Sequence, residues 1–437
     1  MTADRVASSA QRRLWILDRL YPGCAAYVIP VVYRIEGDLD AEALGHALSD
    51  VVRRHEVLRT GYRMVRGALR QTVRPAGPVP IPVVDVAAHR SPGEEAERLA
   101  AAEALRPFDL SAGEVIRALL VRTAPGRHLL CLSLHHIACD GWSLRVLEDE
   151  LAACYRSRLA GSPGDLPPLP EQYGDFAEWQ QARLADPALR PVRDHWREHL
   201  AGIPAPATIR TDRPRPAVWS FAGGHVRFRI GPEVAERVRL LARAAATTPY
   251  TVLLAAFALL VREHGAPGPD VVIGTPVAGR SRESHYRLIG LFQNTVVQRI
   301  RVPDRTTFRD LVRLTREESR NAIVNQALPF DALVEELNPA RDPGLNPVFQ
   351  LMFSHEEDEP GGPALPGCAV RRTFGDTRTA KVDLTLGVAR DGPGYTGRLE
   401  YSTDLFTAAT ARRIAERFGV LLENATSAPF RVMGSVE

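Results

Sequence analysis

His135 and His136 stand side by side, and Asp140-Gly141 follows after three intervening residues. An imidazole titrates near neutrality, so such a ring can take a proton and return it at working pH. A nearby carboxylate can organise the loop, and a glycine lets a backbone N–H come close to a reacting group. The pair follows the apolar run Leu129-Leu130-Cys131-Leu132-Ser133-Leu134, which reads as a buried strand. Adjacent strand residues point to opposite faces, so one histidine can face a cavity while its neighbour anchors the backbone. Two satisfied core histidines would give the same pair, but the added Asp140-Gly141 shifts the weight toward chemistry. Asp140 buried without a partner would cost several kcal/mol, so it needs a cation; Arg59, Arg117 and Arg280 are the candidates. Cys139 reads as a small spacer rather than a nucleophile. Ser133 and Ser143 have no assigned role as nucleophile, so no Ser-His-Asp triad is supported.

The elements that must position these residues alternate along the chain. Ser8-Ser9 cap a first helix, and Tyr27 to Ile35 reads as a strand. Asp40 caps a helix running to His55, Gly113 to Val121 reads as a helix or strand, and Ser143 opens a helix that ends near Gly161. The Pro/Gly-rich stretch 161–170 leads to a polar helix over about 174–200. Residues 210–216, RTDRPRP, form a second linker-like stretch. The pattern then restarts: a strand at 225–230, helices at 233–246 and 250–264, and strands at 270–274, 295–302, 349–354, 382–389 and 395–401. This is α/β architecture in two lobes, placed at 1–175 and 176–437.

The chain's 437 residues exceed what one hydrophobic core usually supports. A net charge of +3 gives no argument for nucleic acid or an anionic membrane as partner. The five cysteines show no metal spacing, which reads as reduced thiols in a cytoplasm. The longest apolar run, Val252 to Val261, is shorter than the ~20 residues that span a bilayer and reads as a buried helix. Lys381 is the only lysine.

Further motifs carry a family resemblance. Ser9-Ala10-Gln11-Arg12-Arg13-Leu14-Trp15 resembles the opening SxAQxRLW of nonribosomal peptide synthetase condensation domains, and residues 54–60, RHEVLRT, resemble their RHExLRT. Residues 135–141 are similar to their HHxxxDG, 173–180 (YGDFAEWQ) to YxDFAxWQ, and 289–295 (IGLFQNT) to IGxFVNT with Gln293 in place of valine. Residues 326–334 (QALPFDALV) and 341–350 resemble the segments around PFExLV and RDxxxNPLFQ; 381–384 and 401–406 extend the likeness. The resemblance implies two chloramphenicol-acetyltransferase-like lobes in a V-shaped pseudo-dimer with a central tunnel. Carrier proteins would dock at its ends, each bringing a phosphopantetheine arm. No intrinsic cofactor or metal is implied.

The implied reaction is acyl transfer from a carrier-bound thioester to a carrier-bound or free small-molecule amine, as in antibiotic and other natural product biosynthesis. The resemblance makes His136 the base or positioning group and Gly141 the close-approach residue. His135, Asp140, Arg59 and Arg280 are supporting. Proton transfer of this kind contributes ~10²–10⁴-fold, and holding two substrates in line adds to it. Ester formation with an alcohol is the alternative, and a catalytically silent docking module is the alternative of another class. SSAQRRLW resembles members that take L-configured donors. Heterocyclisation members replace the histidine pair with aspartate, and inactive recruitment members lose the second histidine, which is present here as His136. The downstream motifs of epimerisation members are not apparent. The start at Met1 and the lack of an LGGxS motif read as a free-standing enzyme. Trp15, Trp179 and Phe349 read as core; Asn294 and Ser354 are tunnel candidates or structural residues, Lys381 a strand anchor, and 356–359 a solvated acidic loop.

Overall fold

A computed structural model describes residues 4–164, 166–203, 209–265, 268–339, 342–356 and 361–433. The chain forms two compact units. The first comprises Met1–Asp186, Ala278–Gln293 and Pro360–Thr377; the second comprises Pro187–Val277, Asn294–Glu359 and Arg378–Glu437. Both are mixed α/β.

The first unit is built on a five-stranded sheet in the order Cys368–Phe374, Val28–Gly37, Arg127–His135, Ile116–Ala124, Val83–Asp85. All neighbours are antiparallel except the last pair. Both faces of the sheet are covered. Leu130, Leu132 and Leu134 join a core with Leu44, Leu48 and Val51 of helix Ala41–Arg54 and with Leu147 and Leu151 of helix Gly141–Leu159. On the other face Leu129 and Cys131 meet Ala96 and Ala100 of helix Pro92–Leu105. This explains why 129–134 is apolar without alternation: neither side of the strand meets water.

The second unit holds a six-stranded sheet in the order Asn294–Arg301, Asp270–Val277, Leu351–Glu356, Leu384–Asp391, Gly394–Ser402, Gly223–Ile230. Leu351–Glu356 is parallel to both its neighbours, and the outer pairs are antiparallel. Helix Pro249–His264 is buried from Thr251 to Val261. Pro249 sits in its first turn, where the missing N–H costs nothing, and Gly265 ends it. No single helix among the described residues is long and apolar enough to cross a membrane.

Several elements differ from the sequence reading. The helix expected over 174–200 is two helices, Tyr173–Ala185 and Arg190–His199. Pro187 forces the residue before it into extended backbone, and Asp186 has φ −73° and ψ 124°. Helices Phe308–Val324 and Ala408–Ser427, not assigned from sequence, are capped by the side chains of Thr307 and Thr407. The segment from Gly113 resolves as strand Ile116–Ala124. The acidic run 356–359 lies outside the described residues from 357 onward.

Lys381 is exposed, and the buried ion of its motif is Asp383. Arg215 grips both Asp383 oxygens, with Nη1 at 2.9 Å from Oδ1. Arg215→Ala would leave that carboxylate dry and uncompensated. We expect a loss of about 3–5 kcal/mol in the second unit's stability, read by urea denaturation.

Candidate active site

The strand Arg127–His135 delivers the histidine pair to the sheet end. His135 N donates to Val115 O at 2.9 Å, and His136 N donates to Tyr27 O at 2.8 Å. The chain then makes a tight turn, with Ala138 N on His135 O at 3.0 Å, and enters helix Gly141–Leu159 with Asp140 as N-cap. From Leu129 to Asp140 every residue is buried except His136, which is half-buried.

The two imidazoles have different hydrogen-bond states. His135 Nδ1 accepts from Ile137 N at 3.1 Å, and its ring meets Phe108 edge-on with centroids 5.9 Å apart. It is a buried anchor. His136 Nδ1 lies 2.6 Å from Cys139 O. A carbonyl can only accept, so Nδ1 carries the proton. In the neutral ring this leaves the lone pair on Nε2, which is the state a general base requires.

Asp140 is 2% exposed. Its Oδ1 accepts from Ser143 N at 2.8 Å and from Arg280 Nη2 at 3.1 Å, with Ser143 Oγ at 2.7 Å. Its Oδ2 accepts from Phe292 N at 2.9 Å and Gln293 N at 3.1 Å. Arg280 is therefore the cation. Burial pulls its guanidinium below the usual range and Asp140 opposes that pull. Its Nη1 donates to Leu288 O at 2.8 Å and to His285 O, and Phe292 lies 4.2 Å beneath it. The other candidate arginines are engaged elsewhere. Arg117 pairs with Glu103 at 2.6 Å, and Arg59 donates to the carbonyls of Arg74 and Arg53. The structure does not bring Arg59 to Asp140.

The motifs converge on this node. Ser143 Oγ accepts from Arg280 Nη2 at 2.8 Å and from Gly290 N at 3.0 Å. A Cβ on Gly290 would lie 2.0 Å from the Tyr173 ring, so only glycine fits there. Tyr173 OH donates to Leu291 O at 2.7 Å and sits 2.9 Å from Ser8 Oγ. His55 Nδ1 accepts from Ile289 N at 3.4 Å, leaving Nε2 to donate to Glu150 at 2.8 Å. Three separated motifs, around His55, Asp140 and Tyr173, thus fix one loop. His285 was not singled out in the sequence, and Ser143 was read only as a helix start and as a serine without a nucleophile's role; its position three residues after Asp140 was the available signal for a capping contact.

Gly141 has no positive φ, and a Cβ built on it meets nothing within 4 Å. The fold does not need glycine at this position. Cys139 is fully buried, and burial holds its thiol well above the usual range, so it is no nucleophile. Asn294 is spent structurally: Nδ2 donates to Gln326 O and Leu328 O, and Oδ1 accepts from Phe330 N at 2.9 Å. Trp15 and Trp179 pack on the first unit's core, and Phe349 is buried in the second unit.

Two outcomes follow from the ion pair and its neighbour. Asp140→Ala strands the buried Arg280 and should cost about 3–5 kcal/mol, with Asp140→Asn intermediate, measured by chemical denaturation. His285 is fully buried, and burial lowers its pKa below the unfolded value of about 6.5. The unfolded chain then binds more protons than the folded one below about pH 6.5. Stability is held above that pH and falls as the pH drops through it toward the folded value; His285→Gln should flatten the slope of Tm against pH.

Over residues 3–436 the chain matches the family described as the condensation domain. It is 37% identical over 427 residues to a subunit of the linear gramicidin synthase of Brevibacillus parabrevis, covering 97% of this chain and 8% of that protein. It is 39% identical to phosphinothricin tripeptide synthetase PhsB of Streptomyces viridochromogenes, covering 97% of this chain and 36% of that protein. The chain therefore spans a minor part of these relatives. The X-domain from teicoplanin biosynthesis superposes with a TM-score of 0.91 at 28% identity, covering 100% of this chain and 98% of that one. A further structure holds that X-domain in complex with OxyB. With residues 3–436 matched, the chain belongs to the condensation-domain family.

Proposed function

We propose that the chain catalyses acyl transfer from a carrier-bound thioester to an amine, forming an amide. The observation that carries this reading is His136: the one residue between Leu129 and Asp140 that is not buried, with its proton held on Nδ1 by Cys139 O. The amine nitrogen attacks the thioester carbonyl. Its proton passes to His136 Nε2, the new N–C bond forms, the C–S bond breaks, and the proton leaves with the thiolate as thiol. Gly141 is exposed at the first turn of its helix, where an N–H can meet the developing oxyanion.

Both reacting groups arrive from outside, the donor on a phosphopantetheine arm of a carrier protein, so no metal or bound nucleophile enters the steps. An alcohol acceptor would use the same base and give an ester. The opening SSAQRRLW supports an L-configured donor. All five cysteines are thiols, which supports a cytoplasmic setting. The complex of the teicoplanin X-domain with OxyB favours a second reading, a docking module on the same fold.

The two readings separate in one experiment. His136→Ala should reduce product from a pantetheine-linked donor by at least about 10²-fold while Tm is unchanged. Gly141→Ala should leave the fold as stable or slightly more so, since alanine suits a helix better, yet lower kcat. Undiminished product from both variants would overturn the roles given to His136 and Gly141, and no product above the uncatalysed background from the parent protein would leave the docking reading.

A further inference from the structure

We propose that Trp142 and Tyr286 form an apolar wall beside Gly141 that selects the group next to the reacting carbonyl, favouring neutral aromatic groups over cationic ones. The proposal rests on the acyl-transfer reading above. After the buried run ending at Asp140, the chain surfaces at Gly141 and Trp142. Trp142 is 37% exposed and Tyr286 is 45% exposed, and both are large rings.

These rings are nonetheless held in place. Trp142 Nε1 donates to Tyr286 O at 3.0 Å, and the rings meet edge-on with centroids 5.2 Å apart. The indole N–H is satisfied, so the exposed ring asks a ligand for apolar contact only. Its orientation is already fixed, so a substrate need not supply that ordering. Tyr286 lies in the short helix Glu283–Arg287 of the segment whose far end donates Phe292 N and Gln293 N to Asp140. The wall and the histidine turn therefore share one anchor.

Charge sets the preference. The guanidinium carbons of Arg145 and Arg280 lie 5.8 Å and 6.0 Å from the indole centroid. An aromatic face ordinarily attracts cations, but here protein cations already flank it. A cationic substrate group would meet the exposed Arg145, Arg280 being buried and paired with Asp140, whereas a neutral ring would stack.

Three N-acetylcysteamine thioesters test the wall: phenylacetyl, acetyl and 4-aminobutyryl. The parent protein should favour phenylacetyl over 4-aminobutyryl by about tenfold or more in kcat/KM, mostly through KM. Trp142→Ala should shrink that ratio to within roughly threefold, while Trp142→Phe keeps most of it. An unchanged ratio in Trp142→Ala, or an equal loss for all three thioesters, overturns the proposal. A second measurement needs no turnover. In the His136→Ala background, phenylacetyl thioester should change tryptophan fluorescence, and the change should vanish when Trp142→Phe is added. No change in the parent background, or one that persists without Trp142, overturns the wall even where transfer is confirmed. A fluorescence change at Trp142 in a protein that makes no product would instead keep the wall and overturn the acyl-transfer reading.

Discussion

A charged carboxylate in a dry interior must be surrounded by donors or it destabilises the fold. Asp140 meets that demand with its own helix N-terminus, with Arg280, and with the main chain of Phe292 and Gln293. These partners come from residues far apart in sequence, so satisfying one side chain fixes the relation of the histidine turn to the segment 278–293. Ser143 closes the arrangement by touching Asp140, Arg280 and Gly290 together. Arg280 in turn spends Nη1 on carbonyls of the same segment and rests on Phe292. The surrounding motifs read as consequences of this demand: the glycine under Tyr173, the tyrosine hydroxyl on Leu291, and the imidazole of His55 on Ile289 each hold the donors where Asp140 needs them.

The site separates rigidity from reactivity within two adjacent residues. His135 ends the ladder, is buried, and accepts from the turn it precedes. His136 begins the turn, and one hydrogen bond to Cys139 O selects its tautomer. Both of these hydrogen bonds go to the main chain of the turn. Asp140 instead acts at a distance by holding the turn whose carbonyl orients the imidazole.

Much of this was legible in the sequence. The apolar run before the histidines and the helix from Pro249 to Gly265 rest on local rules, which act within a few residues, whereas the helix read as opening at Ser143 begins at Gly141 with Asp140 as its N-cap. Three features were not legible. The choice of Arg280 over Arg59 and Arg117 depends on a chain return 140 residues away, and an arginine carries no local mark of its partner. The strand Cys368–Phe374 alternates exposed and half-buried residues at a sheet edge, so its apolar signal is weak; only pairing with Val28–Gly37 reveals it. The break at Pro187 was written in the sequence, but the polar pattern on both sides continued across it.

The spacing within HHxxxDG follows from the same constraints. His135 is fixed by ladder register to Val28, and Asp140 is fixed as N-cap by Ser143 N. The residues between must reverse a strand into a helix while Ile137, Ala138 and Cys139 stay fully buried. One residue more or fewer would displace Asp140 by about 3.3 Å, a strand residue's rise, which exceeds the tolerance of any hydrogen bond it makes. It would also take Cys139 O away from His136 Nδ1 and so lose the tautomer. The motif's length is therefore set by two hydrogen bonds, one from Ser143 N that fixes Asp140 as N-cap and one to Cys139 O that fixes the tautomer of His136.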